Sequence, residues 1–139
     1  SRYEICLENY IKTIRIEALT MIEMASRQIL PVSLAYAKKV ADTVASFNTA
    51  GTDSTVAKEE LDTLVSLTSN LKASINKLSE KLEEVDKHEG DSLGHARAYK
   101  DVIIPLMEEL RAVADEIETK VDASMWPMPT YGDLLFGVV

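Results

Sequence analysis

Apolar residues crowd the opening of the chain from more than one side. Between Ile5 and Leu30, 15 of 26 positions are apolar. One subset, Ile11, Ile14, Ala18, Ile22, Ala25 and Ile29, recurs with the three-four spacing of a helix face. Ile16, Leu19 and Met24 fall elsewhere on the same helix. A helix lying on its own core needs a single stripe, whereas one apolar around most of its girth expects neighbours on several sides. Pro31 interrupts the pattern and predicts a kink, or a break with a restart. Beyond it Val32, Tyr36, Val40, Val44 and Phe47 form one stripe only, so the first helix is expected over about 3–47.

Residues 48–55 read as a turn, with Gly51 suited to a left-handed cap and Asp53 or Ser54 to the next N-cap. From Val56 to His88 there is neither glycine nor proline. Leu61, Leu64, Leu67 or Thr68, Leu71, Ile75, Leu78, Leu82 and Val85 step by threes and fours, the rhythm of a long packed seam, which predicts a helix over about 55–88. Gly90, Asp91, Ser92 and Gly94 mark a second turn. Tyr99, Ile103, Leu106, Leu110, Val113, Ile117 and Val121 then place a third helix over about 93–124. Pro105 lies inside it, where proline costs roughly 3 kcal/mol and usually bends the axis. At about 1.5 Å per residue the two prolines fall within roughly 10 Å of one level. Helices one and three are therefore expected to bend together. The pattern predicts an all-α fold: a bundle over 1–125 of three long antiparallel helices, up-down-up, kinked at Pro31 and Pro105. An extended tail over 126–139 follows.

Composition agrees with a folded helical domain. The chain has 139 residues, 46% apolar and 27% charged, which argues against disorder. Five glycines and four prolines are too few for a turn-rich all-β domain. The net charge of −8, with lysines and arginines scattered singly, argues against binding to a nucleic-acid backbone. The longest apolar runs are about half a membrane span. One cysteine cannot close an internal disulfide, so the expected setting is cytoplasmic.

Candidate chemistry is sparse. The segment Gly90-Asp91-Ser92-Leu93-Gly94 lacks the lysine and preceding strand of a phosphate loop. Neither His88 nor His95 has a glutamate three positions before it, as a di-iron bundle requires. With Glu89 and Asp91 they surround one turn and could hold a metal only loosely, a solvated loop being the plainer assignment. Asp115, Glu116, Glu118 and Asp122 do not converge on a helix surface. Met21, Met24 and Met107 read as core filling. The ending is different in kind: Trp126, Pro127, Met128 and Pro129 stop the helix and hold the chain extended. An apolar, aromatic stretch this short must dock on something. Trp126, Tyr131, Leu134, Leu135 and Phe136 are the expected latch.

Both ends of the chain carry a family resemblance. Ser1 to Ile5, Glu8 to Ile14, Ile16 to Ala18 and Met24 through Pro31 to Tyr36 resemble the start of the C-terminal region of type III glutamine synthetases. Tyr99 through Pro105, Leu110-Arg111 and the ending Trp126 to Phe136 continue the likeness; residues 56–88 match only as a generic coiled segment. The resemblance implies a parent enzyme that joins glutamate and ammonia with ATP and Mg2+ or Mn2+. Such enzymes are cytoplasmic dodecamers of two stacked hexameric rings, with their substrate motifs upstream of the equivalent of Ser1. None of those motifs occurs here, so no catalytic, cofactor-binding or metal residue carries over and the chain alone is expected to be inactive. The absence of an initiator methionine fits an excised piece, although its removal before Ser1 would look the same. The parent's catalytic domain would then cover a face made of Ile16, Leu19 and Met24. Two other functions fit less well. A free-standing helical adaptor explains the seam but neither end motif. A phosphotransfer bundle needs an exposed mid-helix histidine, and both histidines flank a turn.

Overall fold

The structure, a computed structural model, describes residues 2–87 and 90–128. They form three long helices and, among the described residues, no strand. The first comprises α1 (Arg2–Met24), a five-residue π turn (Ala25–Ile29) and α2 (Leu30–Ala50). The second is α3 (Thr55–Lys87). The third comprises α4 (Ser92–Ala98), another π turn (Tyr99–Ile103) and α5 (Ile104–Lys120).

Each π turn ends two residues before a proline, and the coincidence has a steric cause. Proline has no N–H to donate, and in an α-helix its ring collides with the carbonyl four residues back. Adding one residue to the preceding turn moves that carbonyl aside. The N–H groups of Leu30 and Ile104 accordingly reach five residues back, to the carbonyls of Ala25 and Tyr99. The backbone stays helical through both prolines, so the break and restart considered at Pro31 does not occur.

The connections follow from side-chain chemistry. Gly51 closes α2 at φ 73°, a left-handed conformation that glycine adopts without a Cβ penalty. There its N–H bonds Asn48 O at 3.2 Å and Thr52 N–H bonds Phe47 O at 2.9 Å, the Schellman pattern. Asp53 then accepts from both the N–H and the hydroxyl of Thr55, at 3.0 and 2.6 Å. Those bonds lower the Asp53 pKa. At the second turn Asp91 accepts the Gly94 N–H at 2.9 Å and caps α4. A Cβ on residue 94 would stand 2.7 Å from that capping oxygen, so the cap and a side chain there are incompatible.

The third helix stops at Lys120 rather than running to 124. Val121 is extended and keeps its side chain in the core, while Asp122 takes the N–H and hydroxyl of Ser124 at 2.9 and 2.8 Å. A short acidic side chain that bonds the backbone two residues on competes with helix continuation. The result is a 3-10 turn over Ala123–Met125.

α3 is the centre of the molecule, with α2 and α5 packed along it and α1 packed mainly on α4. Its seam of Leu64, Leu67, Leu71, Ile75, Leu78, Leu82 and Val85 is buried against Ala18, Ala25 and Ile29 on one side and Tyr99, Ile103, Leu106, Leu110 and Ile117 on the other. Both π turns rest on this seam. A buried hydroxyl pair, Ser33 with Thr68 at 2.6 Å, ties α2 to α3 within it, and Thr68 also donates to Leu64 O. Each hydroxyl is therefore satisfied inside an apolar interior, where an unpaired one would cost about 1–3 kcal/mol.

Candidate functional site

Three places stand out, and the first is the outer face of α1. Only Ala18 of α1 is fully buried; Ile11, Ile14, Met21 and Ile22 pack against the core while half covered. At roughly 100° per residue, Ile5, Leu19 and Ile16 cluster about 100–160° around the helix from Ala18. They are 58%, 45% and 56% exposed. Ile16 and Leu19, two members of the expected interdomain face, thus share one open surface.

Met24, the third, lies elsewhere. It is half-buried in a cleft of about 310 Å³ between the end of α1 and α5. Met21, Ala25, Ile29, Leu110 and Ala114 line the apolar part of that cleft, Arg111, Asp115 and Glu118 its polar part, and Trp126 and Met128 also border it. Helical geometry is the reason: Met24 falls near Met21 on the flank facing α5, not beside Ile16. Trp126 packs half-buried against the core. The other expected latch residues, Tyr131, Leu134, Leu135 and Phe136, lie outside the described residues.

A polar clasp joining all three helices is the third place. The Asp86 carboxylate near the end of α3 accepts from Arg15 Nε of α1 at 2.9 Å and from the Tyr99 hydroxyl of the second π turn at 2.5 Å. Tyr99 is fully buried. Burial foremost, then the hydrogen bond to Asp86 and that group's negative charge, push the phenol well above its ordinary pKa; Arg15 pulls weakly the other way. His95 packs edge-on against Tyr99 with ring centroids 5.3 Å apart. Its buried Nε2 stands 3.4 Å from Asp86 yet makes no hydrogen bond. His88 and Glu89 lie outside the described residues.

Sequence patterns did not point to this clasp. Arg15 and Asp86 are 71 positions apart, and Tyr99 reads simply as a seam residue. An arginine bordering an apolar stripe was the one available signal, and a weak one. The clasp ties α1, α3 and the third helix to one carboxylate. Among the described residues no group of three or more His, Cys, Asp or Glu gathers as metal ligands, and the cleft sets Arg111 beside two carboxylates. No helix among the described residues is long and apolar enough to cross a membrane.

Comparison with known proteins gives the family of this helical chain. A family model described as the glutamine synthetase C-terminal domain matches residues 1–48, which take in nearly all of the first long helix. Glutamine synthetase of Butyrivibrio fibrisolvens is 36% identical over 140 residues, covering 99% of this chain and 20% of the relative. Type-3 glutamine synthetase of Dictyostelium discoideum is 32% identical over 142 residues, 98% of this chain and 19% of the relative. The enzyme of Bacteroides fragilis is 25% identical over 141 residues, 97% and 19%. The chain spans about a fifth of the length of the curated relatives it matches. Matched along nearly its whole length by these enzymes and over its first helix by the C-terminal domain model, the chain belongs to the glutamine synthetase family, as the C-terminal helical region of its type III members.

Proposed function

We propose that this chain is a structural appendage of a glutamine synthetase, contributing packing and subunit contacts rather than chemistry. The parent joins glutamate and ammonia at the expense of ATP, in upstream parts that also hold Mg2+ or Mn2+. It works in the cytoplasm as a homo-oligomer, a dodecamer by family likeness. The helices run up-down-up, bent at Pro31 and Pro105, and the residues from Trp126 onward latch the end of the bundle.

The observation that carries this proposal is the open apolar face of Ile5, Ile16 and Leu19. At about 25 cal/mol per Å², three large aliphatic side chains left in water forgo several kcal/mol of burial. A helix that also supplies core residues on its opposite side is built to sit between two bodies. α1 then lies between the α3–α5 hairpin and the catalytic part of the same parent. The exposed aliphatic patch fits such an interdomain contact, which typically mixes apolar and polar surface.

Ile16→Asp with Leu19→Asp, made in the longer enzyme, tests the proposal. Loss of the assembled species in sedimentation, with the helicity and melting of the 139-residue chain unchanged by the same pair, is the expected result. Full assembly and full activity of the double variant would overturn it.

A further inference from the structure

We infer that Arg15, Asp86 and Tyr99 are positioning residues for α1: their clasp fixes how the helix is rotated on the hairpin, and hence where the Ile5, Ile16 and Leu19 face points. The inference deepens the proposed docking role and rests on it only for the purpose of the clasp, not for its existence.

The apolar anchoring of α1 is thin. Its first nine residues, from Arg2 to Tyr10, are exposed apart from half-buried Leu7, and Ala18 is the one fully buried side chain of the whole element. Hydrophobic contact is non-directional. A small alanine flanked by half-covered isoleucines therefore resists rolling of the helix poorly. Hydrogen bonds are directional, and the clasp gives α1 one, from Arg15 to Asp86, at a place where rotation would strain it. Arg15 lies roughly 60° around the helix from Ala18, on the same side as the exposed face. It stands at the border between what the bundle covers and what it leaves open. Leu19, Arg15 and Asp86 also line one groove of about 470 Å³ between α1 and α3. The clasp is thus the floor from which the open face rises.

The partner group is itself held firmly. One Asp86 oxygen is taken by Tyr99 and the other by Arg15. Tyr99 opens the π turn ahead of Pro105 and is buried in the core, so the carboxylate is tied to the packed interior of the bundle. Rolling α1 would strip Arg15 from one oxygen while Tyr99 retained the other. An asymmetric network of this kind specifies a single arrangement more than it adds stability.

Amide hydrogen exchange, read helix by helix, tests the inference, because a change in global stability moves every protected amide together. Asp86→Ala removes both bonds and is expected to speed exchange over residues 11–24 by about tenfold or more, with core amides of α3 and α5 shifted less than about threefold. Asp86→Asn retains an acceptor for Arg15 and a donor for the Tyr99 oxygen, and is expected to restore most of the protection. Should Asp86→Ala fail to fold, Arg15→Met, on a half-exposed side chain, carries the same expectation at a smaller size. Equal acceleration in all helices, or no acceleration in α1, would overturn the clasp. Loosened α1 amides together with indifference of assembly to Ile16→Asp and Leu19→Asp would leave the clasp standing and remove the docking role. The reverse pair of results would do the opposite.

Discussion

α1 and α3 are both long, both rich in leucine and isoleucine, and end in opposite situations. Every leucine and isoleucine of α3 is buried or half-buried, and they lie on one stripe. α1 covers one stripe incompletely and leaves Ile5, Ile16 and Leu19 in solvent. The difference lies in the angular spread of the apolar residues rather than in their number. A single stripe is completed by the chain's own neighbours; a second one demands a neighbour from elsewhere. α3 therefore accounts for why the bundle folds, and α1 for what it is folded to meet.

Truncating the two helices should separate these roles most sharply. Leu71→Ala and Leu78→Ala, at fully buried positions, are expected to cost about 2–5 kcal/mol each in urea unfolding. Ile16→Ala should stay within about 0.5 kcal/mol in the same assay. A comparable cost at Ile16 would mean that α1 is covered by its own chain after all. Trp126→Ala comes next, at about 2 kcal/mol, since the indole is half-buried against the core. An unchanged melting temperature and unchanged oligomer size would remove its part in the latch.

The clasp predicts a pH dependence that the seam lacks. A phenol whose pKa is raised by folding stabilises the native state fully below the unfolded value of about 10, and that stability is lost as pH rises above it. Unfolding midpoints measured from pH 8 to 11 should therefore fall at the alkaline end, and Tyr99→Phe should flatten that limb relative to the parent chain. An identical alkaline slope in Tyr99→Phe would contradict the bonded, buried phenol. Smallest of all is the acid limb. Hydrogen bonds lower the pKa of Asp53 and of Asp122, so their contribution is fully present above the ordinary carboxylate value and is lost as pH falls below it through the lowered native value. Asp53→Asn should reduce the acid slope slightly without altering the midpoint at pH 7 by more than its lost bonds to Thr55.

Much of this was legible in the sequence, for reasons that particular residues make plain. The seam from Leu64 to Val85 has one period and no competing signal, and Gly51 sits where only a left-handed cap fits. The prolines marked the right places, but whether a helix bends, breaks or widens at a proline depends on the core it rests on. Seam packing beneath Ile29 and Ile103 kept both helices continuous through π turns. The end of the third helix was missed because Val121 continues the apolar period. The Asp122 side chain, bonding Ser124, overrides that period locally. Ile16 and Leu19 were visible as off-stripe residues, whereas Met24 was grouped with them although its angle turns it toward α5. The clasp was invisible because pairing Arg15 with Asp86 requires knowing which helices touch.

Hydroxyl-radical footprinting of Ile5, Ile16 and Leu19 in the 139-residue chain and in the longer assembled enzyme addresses the central claim most directly. The proposal predicts ready oxidation of all three in the chain alone and suppression by several-fold in the assembled enzyme, with outward-facing residues of α3 modified alike in both. Equal oxidation of the α1 face in the two preparations would contradict it.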